Sequence, residues 1–130
     1  MSDLKQKILN LNSAVLRLQE SIADYQQFHM NSIRDGAIQR FEFCMELAWK
    51  TCREYLLDQG YPPINSPKAV MREAYAYGML NDEKLWVHAL TDRNLTSHVY
   101  DEKTADEIYS RICTEYLPIL QALSAYLSEK

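Results

Sequence analysis

Glycine, proline and cysteine are scarce in this chain, whose 130 residues include three glycines, four prolines and three cysteines. Glycine and proline interrupt regular structure, so their scarcity favours long helices. Cys44, Cys52 and Cys113 form no CxxC motif and cannot all pair with one another, which predicts buried thiols in a reducing cytosol. The sequence also lacks a glycine-rich phosphate loop, a GxSxG sequence and an HExxH sequence, so we expect no cofactor.

Long apolar runs are absent as well. The uninterrupted apolar stretches are only a few residues long, well short of the roughly 20 residues that a membrane span requires. The N-terminal residues Met1-Ser2-Asp3-Leu4-Lys5 start polar and contain no apolar run, unlike a secretory signal peptide. We therefore expect a cytoplasmic protein with no membrane association.

The composition is that of a globular protein, with 47% apolar and 25% charged residues. The length suits one domain, and we expect residues 1–130 to form it. The formal net charge of -4 disfavours broad, non-specific wrapping of nucleic acid, which depends on many cationic contacts to phosphate. A small basic pocket that reads one RNA segment remains compatible with this charge.

Apolar periodicity predicts two long helices in the first half of the chain. The first runs from about residue 3 to 28, and its apolar residues recur in steps of four and three: Leu4, Ile8, Leu11, Val15, Leu18, Ile22 and Tyr25. The second runs from about residue 32 to 59 and is apolar over most of its surface. We expect so wide an apolar surface to pack both within its own bundle and against a second subunit.

Capping residues and prolines divide the second half. Ser66-Pro67 predicts an N-cap and the first residue of a short helix, which Gly78 ends. Asn81-Asp82 begins a fourth helix. The last helix is predicted to begin at a capping box, Thr104-Ala105-Asp106-Glu107. Pro118 lies inside this helix and should kink it about one turn before the proline. Together these elements predict an all-α, up-and-down four-helix bundle with one additional short helix, which we expect to dimerise.

The segment from Thr91 to Glu102 is rich in polar residues, and two of them suit phosphate chemistry. Arg93 offers a fixed fork of donors that stays charged at neutral pH, and His98 can give or take a proton there. Together they could cleave RNA without a metal ion. His98 would handle a proton on the ribose 2′-oxygen or on the leaving oxygen, while Arg93 would stabilise charge on the phosphoryl group.

Simpler interpretations of the same residues stay open. Arg93 could form an ion pair with Asp92 or Asp101, and His98 could be a hydrogen-bonded surface or capping residue. On a continuous helix the two side chains would point about 140° apart, so one straight helix does not bring them together. Either the helix breaks between Asn94 and Ser97, or two copies of the chain meet across a dimer interface.

Three carboxylates of the second predicted helix, Asp35, Glu42 and Glu46, share one face. Their spacing would permit a metal site, but Lys50 and Arg53 continue the same stripe. Glu46 and Lys50 also form an i,i+4 pair in the favourable orientation. The pattern therefore favours a charged face that is solvated or lines an interface, and we expect no metal site.

The spacing of Arg93, His98 and Tyr100 matches the RxxxxHxY signature, and with it the chain resembles the HEPN superfamily. The closer resemblance is to the nucleotidyltransferase substrate-binding branch of that superfamily, and it covers nearly the whole chain. The supporting residues are Arg40-Phe41-Glu42-Phe43, Glu46-Leu47-Ala48-Trp49-Lys50, Arg93-Asn94, Ser97-His98 and Tyr100.

This resemblance implies a toxin-type ribonuclease whose catalytic residues Arg93 and His98 form a composite site at a homodimer interface. Its partner would be a minimal nucleotidyltransferase, bound in a complex that could be a heterotetramer, and its ligand RNA or a nucleotide. The resemblance also implies that the partner adenylylates Tyr100, while Asn94, Ser97 and the charged face of the second helix support substrate binding. An alternative is a non-catalytic subunit that binds a substrate or nucleotide for the nucleotidyltransferase.

Overall fold

The structure, a computed structural model, describes residues 2–98 and 101–130. Its α-helices, in chain order, are α1 (Ser2–Phe28), α2 (Asn31–Asp58), α3 (Pro67–Tyr77), α4 (Glu83–Leu95), α5 (Glu102–Arg111) and α6 (Leu117–Ser128). Thr96–His98 forms a 3-10 turn after α4, and Ile112–Tyr116 forms a π-helical turn between α5 and α6. The described residues contain no strand, so the predicted all-α class is confirmed.

The core forms around α2, which packs against α1, α3, α4, α5 and α6. Its apolar residues lie on several sides of the helix, and most of them are buried within this one chain: Ala37, Ile38, Phe41, Cys44, Met45, Ala48, Cys52, Tyr55 and Leu56. The apolar stripe of α1 contributes Leu11, Val15, Leu18 and Ile22 to the same core. The two long helices predicted from periodicity are therefore confirmed, with ends within a residue or two of the prediction.

Several helix ends follow the predicted capping residues. The Ser66 hydroxyl accepts a hydrogen bond from the Ala69 amide at 3.3 Å and so caps α3. Gly78 ends that helix at φ 100°, a left-handed conformation that strongly favours glycine. Asp82 caps α4 by accepting from the Leu85 amide at 3.0 Å.

The start of the last helical segment was predicted in the wrong place. Helix α5 begins at Glu102 rather than at the capping box of Thr104, because Asp101 is the N-cap and accepts from the Thr104 amide at 3.2 Å. Thr104 therefore lies inside the helix, where its hydroxyl donates to Asp101 at 3.1 Å. The irregularity predicted near Pro118 takes the form of the π-helical turn, which ends just before it.

Two of the three thiols are buried as predicted, whereas Cys113 is only partly buried. Cys44 and Cys52 are fully buried, and burial raises the pKa of each to about 12, so neither thiol is activated. None of the described helices combines the length and the apolar character needed to cross a membrane. The predicted dimer stays a prediction.

A buried arginine joins the beginning of α2 to the beginning of α5. The side chain of Arg34 is only 2% exposed, and its guanidinium contacts Asp35 at 2.9 Å, Glu102 at 2.7 Å and Asp106 at 2.9 Å. Asn31 also donates to Glu102 at 3.0 Å. Charge-assisted bonds of this kind are short and directional, so they fix α5 against α2 immediately after residues 96–101.

The contact with Arg34 predicts an acid-sensitive contribution to stability. Hydrogen bonding to Arg34 lowers the pKa of Glu102 below its ordinary value of 4.5, so folding favours the carboxylate. This contribution is complete above about pH 4.5 and is lost as the pH falls through the lower folded-state value. We expect Glu102→Gln to unfold at lower urea concentration than the wild type at pH 7, with the difference shrinking below pH 4.5.

The matched control is Glu107→Gln, which removes an exposed carboxylate from the same helix. Urea unfolding at several pH values between 7 and 3 would compare the three proteins. Because Glu102 is largely exposed, the expected effect is small but should change with pH. A difference between Glu102→Gln and the wild type that stayed constant over the whole range would contradict the prediction.

Candidate functional site

Arg93 lies in the last turn of α4 and faces two carboxylates of α2. One terminal nitrogen of its guanidinium is 3.3 Å from Glu42, and the other is 3.3 Å from Glu46. The indole of Trp49 donates to Glu46 at 3.0 Å, and Lys50 lies 3.8 Å from the same carboxylate. The structure thus brings together four of the site residues predicted from the sequence: Arg93, Glu42, Glu46 and Lys50.

The helix that carries Arg93 ends before it reaches His98. Helix α4 stops at Leu95, and the next three residues form the 3-10 turn. The Thr96 hydroxyl donates to the Arg93 carbonyl at 2.7 Å, and the Ser97 hydroxyl donates to the Asn94 carbonyl at 3.4 Å. The regular α-helix therefore ends between Asn94 and Ser97, where one of the two arrangements placed a break, and the convergence of Arg93 and His98 stays a prediction.

Two of the predicted site residues cannot be placed in full. The backbone of His98 belongs to the 3-10 turn, but its side chain lies outside the part that the structure describes. Tyr100 lies outside the described residues altogether. The described part of the site is therefore its arginine and the polar groups around it.

Asp35 belongs to a different cluster from Glu42 and Glu46. It pairs with Arg34, at the end of α2 that contacts α5. The helix face predicted from the sequence is therefore divided between two arginines, Arg34 and Arg93. Within the described residues, no group of three His, Cys, Asp or Glu side chains is arranged to hold a metal ion.

A buried network beside the site was not found by sequence reasoning. Asp92 is 3% exposed and accepts from Arg111 at 2.7 Å and from the Tyr116 hydroxyl at 2.5 Å. His88 lies 3.4 Å from the same hydroxyl. Burial, and then the hydrogen bond to Asp92, raises the pKa of Tyr116. The network joins α4 to α5 and the π-helical turn, so it holds the helix that carries Arg93.

The ion pair that the sequence suggested between Arg93 and Asp92 is wrong. Neighbouring residues on a helix point in different directions, and here Asp92 faces Arg111 while Arg93 faces α2. The other suggested partner, Asp101, instead caps α5. The one indication in the sequence that Arg111 pairs with a carboxylate is its positive charge among the apolar residues of the last predicted helix. That charge alone does not identify Asp92 as the partner.

Two cavities of similar size lie on either side of the Arg93 cluster. One, of about 290 Å³, lies between α2 and α5, and the charged residues that line it are Arg34, Asp35, Glu42, Asp101 and Glu102. The other, of about 270 Å³, lies between α2, the start of α3 and α4. The polar and aromatic residues that line it are Glu46, Trp49, Ser66, Lys68, Thr91, Arg93 and Asn94. Both cavities therefore carry charges of both signs, with Arg34 among the carboxylates of the first and Glu46 beside Lys68 and Arg93 in the second.

Comparison with known proteins agrees with the family that the motif predicted. Residues 6–129 match the model of a family described as nucleotidyltransferase substrate binding protein like. A Haemophilus influenzae protein named probable ribonuclease HepT is 33% identical, and the match covers 80% of this chain and 82% of that protein.

Solved structures share the fold. A Haemophilus influenzae protein, described as having the fold of a substrate binding domain of a nucleotidyltransferase, superposes with a TM-score of 0.81 at 27% identity, over 93% of this chain and 98% of its own. A Thermus thermophilus protein superposes with a TM-score of 0.81 at 32% identity, over 90% and 98%.

A more distant structure is a tri-AMPylated HEPN toxin from Shewanella oneidensis in complex with an MNT antitoxin. Its TM-score is 0.77 at 16% identity, over 98% of this chain and 97% of its own, and this likeness concerns the fold. The family match covers nearly all of the present chain, and the relatives match over most of their own length. The chain therefore belongs to the nucleotidyltransferase substrate-binding-like family, the branch of the HEPN superfamily that its motifs predicted.

Proposed function

We propose that this chain is the ribonuclease of a two-component toxin–antitoxin module and that a nucleotidyltransferase partner controls it. The observation that carries the proposal is the placement of Arg93 at the end of α4, directly before the turn that contains His98. The relative named probable ribonuclease HepT and the toxin–antitoxin complex of the Shewanella fold relative support the same class of activity.

The proposed reaction uses these two side chains without a metal ion. His98 takes the proton from a ribose 2′-hydroxyl, and the 2′-oxygen forms a bond to the adjacent phosphorus. The bond from phosphorus to the 5′-oxygen breaks, and that oxygen leaves as a hydroxyl after it receives the proton that His98 took up. The products are a 2′,3′-cyclic phosphate and a 5′-hydroxyl end. Arg93 stabilises the negative charge that the phosphoryl oxygens gain in the transition state.

The first test is RNA cleavage by the purified protein in EDTA. We expect cleavage by the wild type and a loss of at least about a hundredfold in His98→Ala, because general acid–base catalysis contributes roughly 10² to 10⁴ in rate. The matched control is His29→Asn. His29 lies between α1 and α2 at φ 51°, a left-handed conformation that asparagine tolerates. Equal cleavage by His98→Ala and His29→Asn would contradict the proposal.

We propose further that the site combines residues from two copies of the chain. Two large apolar side chains, Phe43 and Leu95, are 60% and 47% exposed on the two helices that carry the Arg93 cluster. Burial of such side chains against a second copy would be favourable, and it would bring the two motifs to one interface.

Mixing two inactive variants tests this composite site. If Arg93 of one subunit acts with His98 of the other, a heterodimer of Arg93→Ala and His98→Ala contains one intact pair. We expect the mixture to recover about a quarter of wild-type cleavage after subunit exchange, because half the dimers are mixed and each has one of two sites. No recovery in a mixture that is demonstrably heterodimeric would place the whole site within one subunit.

Adenylylation of Tyr100 is the proposed means of control by the partner. In the Shewanella fold relative the HEPN toxin carries AMP groups and is bound to its antitoxin. A nucleotide on Tyr100, two residues after His98, would add a negative charge and bulk beside the site and so exclude an RNA phosphate.

Incubation of the protein with its cognate nucleotidyltransferase and ATP tests this role. We expect a mass increase of one or more AMP groups in the wild type and none in Tyr100→Phe, because phenylalanine has no hydroxyl to accept the nucleotide. Tyr75→Phe is the matched control, since Tyr75 is an exposed tyrosine, on α3. Undiminished labelling of Tyr100→Phe would remove this part of the proposal.

A second candidate function is a non-catalytic subunit that binds a substrate or nucleotide for the nucleotidyltransferase. The ion pairs that join Arg93 to Glu42 and Glu46 favour it, because they occupy donors that catalysis requires. A wild-type protein that binds its partner tightly but cuts no RNA would establish this candidate. The partner complex in either case could be a heterotetramer built on the homodimer.

A further inference from the structure

Arg93 is already paired with two negative charges of its own chain. Glu42 and Glu46 lie one helical turn apart on α2, and each has an oxygen 3.3 Å from a different terminal nitrogen of Arg93. The guanidinium fork binds carboxylate and phosphate with the same donors and similar geometry. An RNA phosphate must therefore compete with both carboxylates for these donors.

The charges in this cluster cancel. Arg93 and Lys50 contribute two positive charges, and Glu42 and Glu46 contribute two negative charges. Arg93 and Glu42 are 25% and 28% exposed, so solvent screens their interaction less than that of a pair on the open surface. An approaching phosphate gains little net attraction until one carboxylate moves away.

The two carboxylates are held to different degrees. Glu46 contacts Arg93 through one oxygen, while its other oxygen accepts from Trp49 at 3.0 Å and lies 3.8 Å from Lys50. Among the described residues, Glu42 has no polar partner besides Arg93. Glu42 is therefore the carboxylate that can leave with the smaller loss of other contacts.

Within the described residues, one hydrogen-bond donor of the Arg93 guanidinium has no partner in this arrangement. The Nε atom of Arg93 is buried and has no hydrogen-bond partner within the part of the chain that the structure describes. A buried donor without a partner is costly. A change in the orientation of Arg93 that releases Glu42 and satisfies Nε would recover part of this cost.

We propose that Glu42 and Glu46 are internal competitors of the RNA phosphate and that they set the affinity of Arg93 for RNA. Glu42 is the contact that opens when RNA binds, and Glu46 remains to orient the arginine. The two glutamates are thus positioning residues that act through Arg93. The inference rests on the proposed function in taking RNA as the competing anion.

The test is RNA binding by Glu42→Gln, Glu46→Gln and the double variant, each in a His98→Ala background so that the RNA stays intact. The probe is a fluorescein-labelled single-stranded RNA of mixed sequence, and the readout is the Kd from fluorescence anisotropy. Glutamine keeps the size of the side chain and removes its charge. We expect Glu42→Gln to lower the Kd about threefold to tenfold, in line with the usual net contribution of a single hydrogen bond, and the double variant to lower it further.

Glu54→Gln is the matched control, because it makes the same change in net charge on the same helix. Glu54 pairs with Arg53 at 3.4 Å and takes no part in the Arg93 cluster. We expect its Kd to stay within about twofold of the parent, because Glu54 does not contact Arg93. Adding Arg93→Ala to Glu42→Gln should abolish the gain, since the gain acts through the arginine.

Three outcomes would overturn the inference. They are equal affinities for Glu42→Gln and Glu54→Gln, a gain that persists without Arg93, and no measurable RNA binding by the double variant. Circular dichroism would verify that each variant keeps its helices. All these readouts measure binding, so a wild-type protein that fails to cut RNA in EDTA would defeat the nuclease proposal without deciding this one.

Discussion

The structure depends on the burial of α2 among the other helices. Apolar residues on several sides of this helix, such as Phe41, Ala48 and Leu56, are fully buried, because α1 and the four later helices all pack against it. Burial of this kind is the main favourable term in folding. It leaves α2 a narrow polar face, and the charges on that face meet α4 and α5. One helix therefore supplies both the core and the electrostatic environment of the site.

The polar face of α2 contacts the helices on both sides of the segment that contains the motif, residues 93–102. At one end, Glu42 and Glu46 contact Arg93 on α4. At the other end, Arg34 contacts Glu102 and Asp106 on α5. The pair formed by Asp92 and Arg111 joins α4 to the end of α5 directly. The segment between Arg93 and Glu102 thus begins and ends on rigid helices, an arrangement that suits a site whose groups must be held in place.

Much of the fold could be predicted because its signals are local. The periodicity of α1 and α2, the Ser66 cap and the Gly78 helix end depend on residues close together in the sequence. The start of α5 was missed because two acceptable caps, Asp101 and Thr104, lie three residues apart, and sequence alone does not rank them. The i,i+4 pair between Glu46 and Lys50 was correct, since helix geometry fixes it.

The partners of Arg93 could not be predicted in the same way. They depend on how α4 packs across α2, and the acidic residue beside Arg93 in the sequence, Asp92, pointed to the wrong pair. The pairing of the arginine also bears on activity. An RxxxxHxY motif supplies the groups for phosphate chemistry, but the surrounding charges determine whether the arginine is available to an anion. In this chain that availability is governed by positions 42 and 46, on a helix far from the motif in sequence. Substitutions on α2 should therefore alter RNA affinity while leaving the motif itself intact.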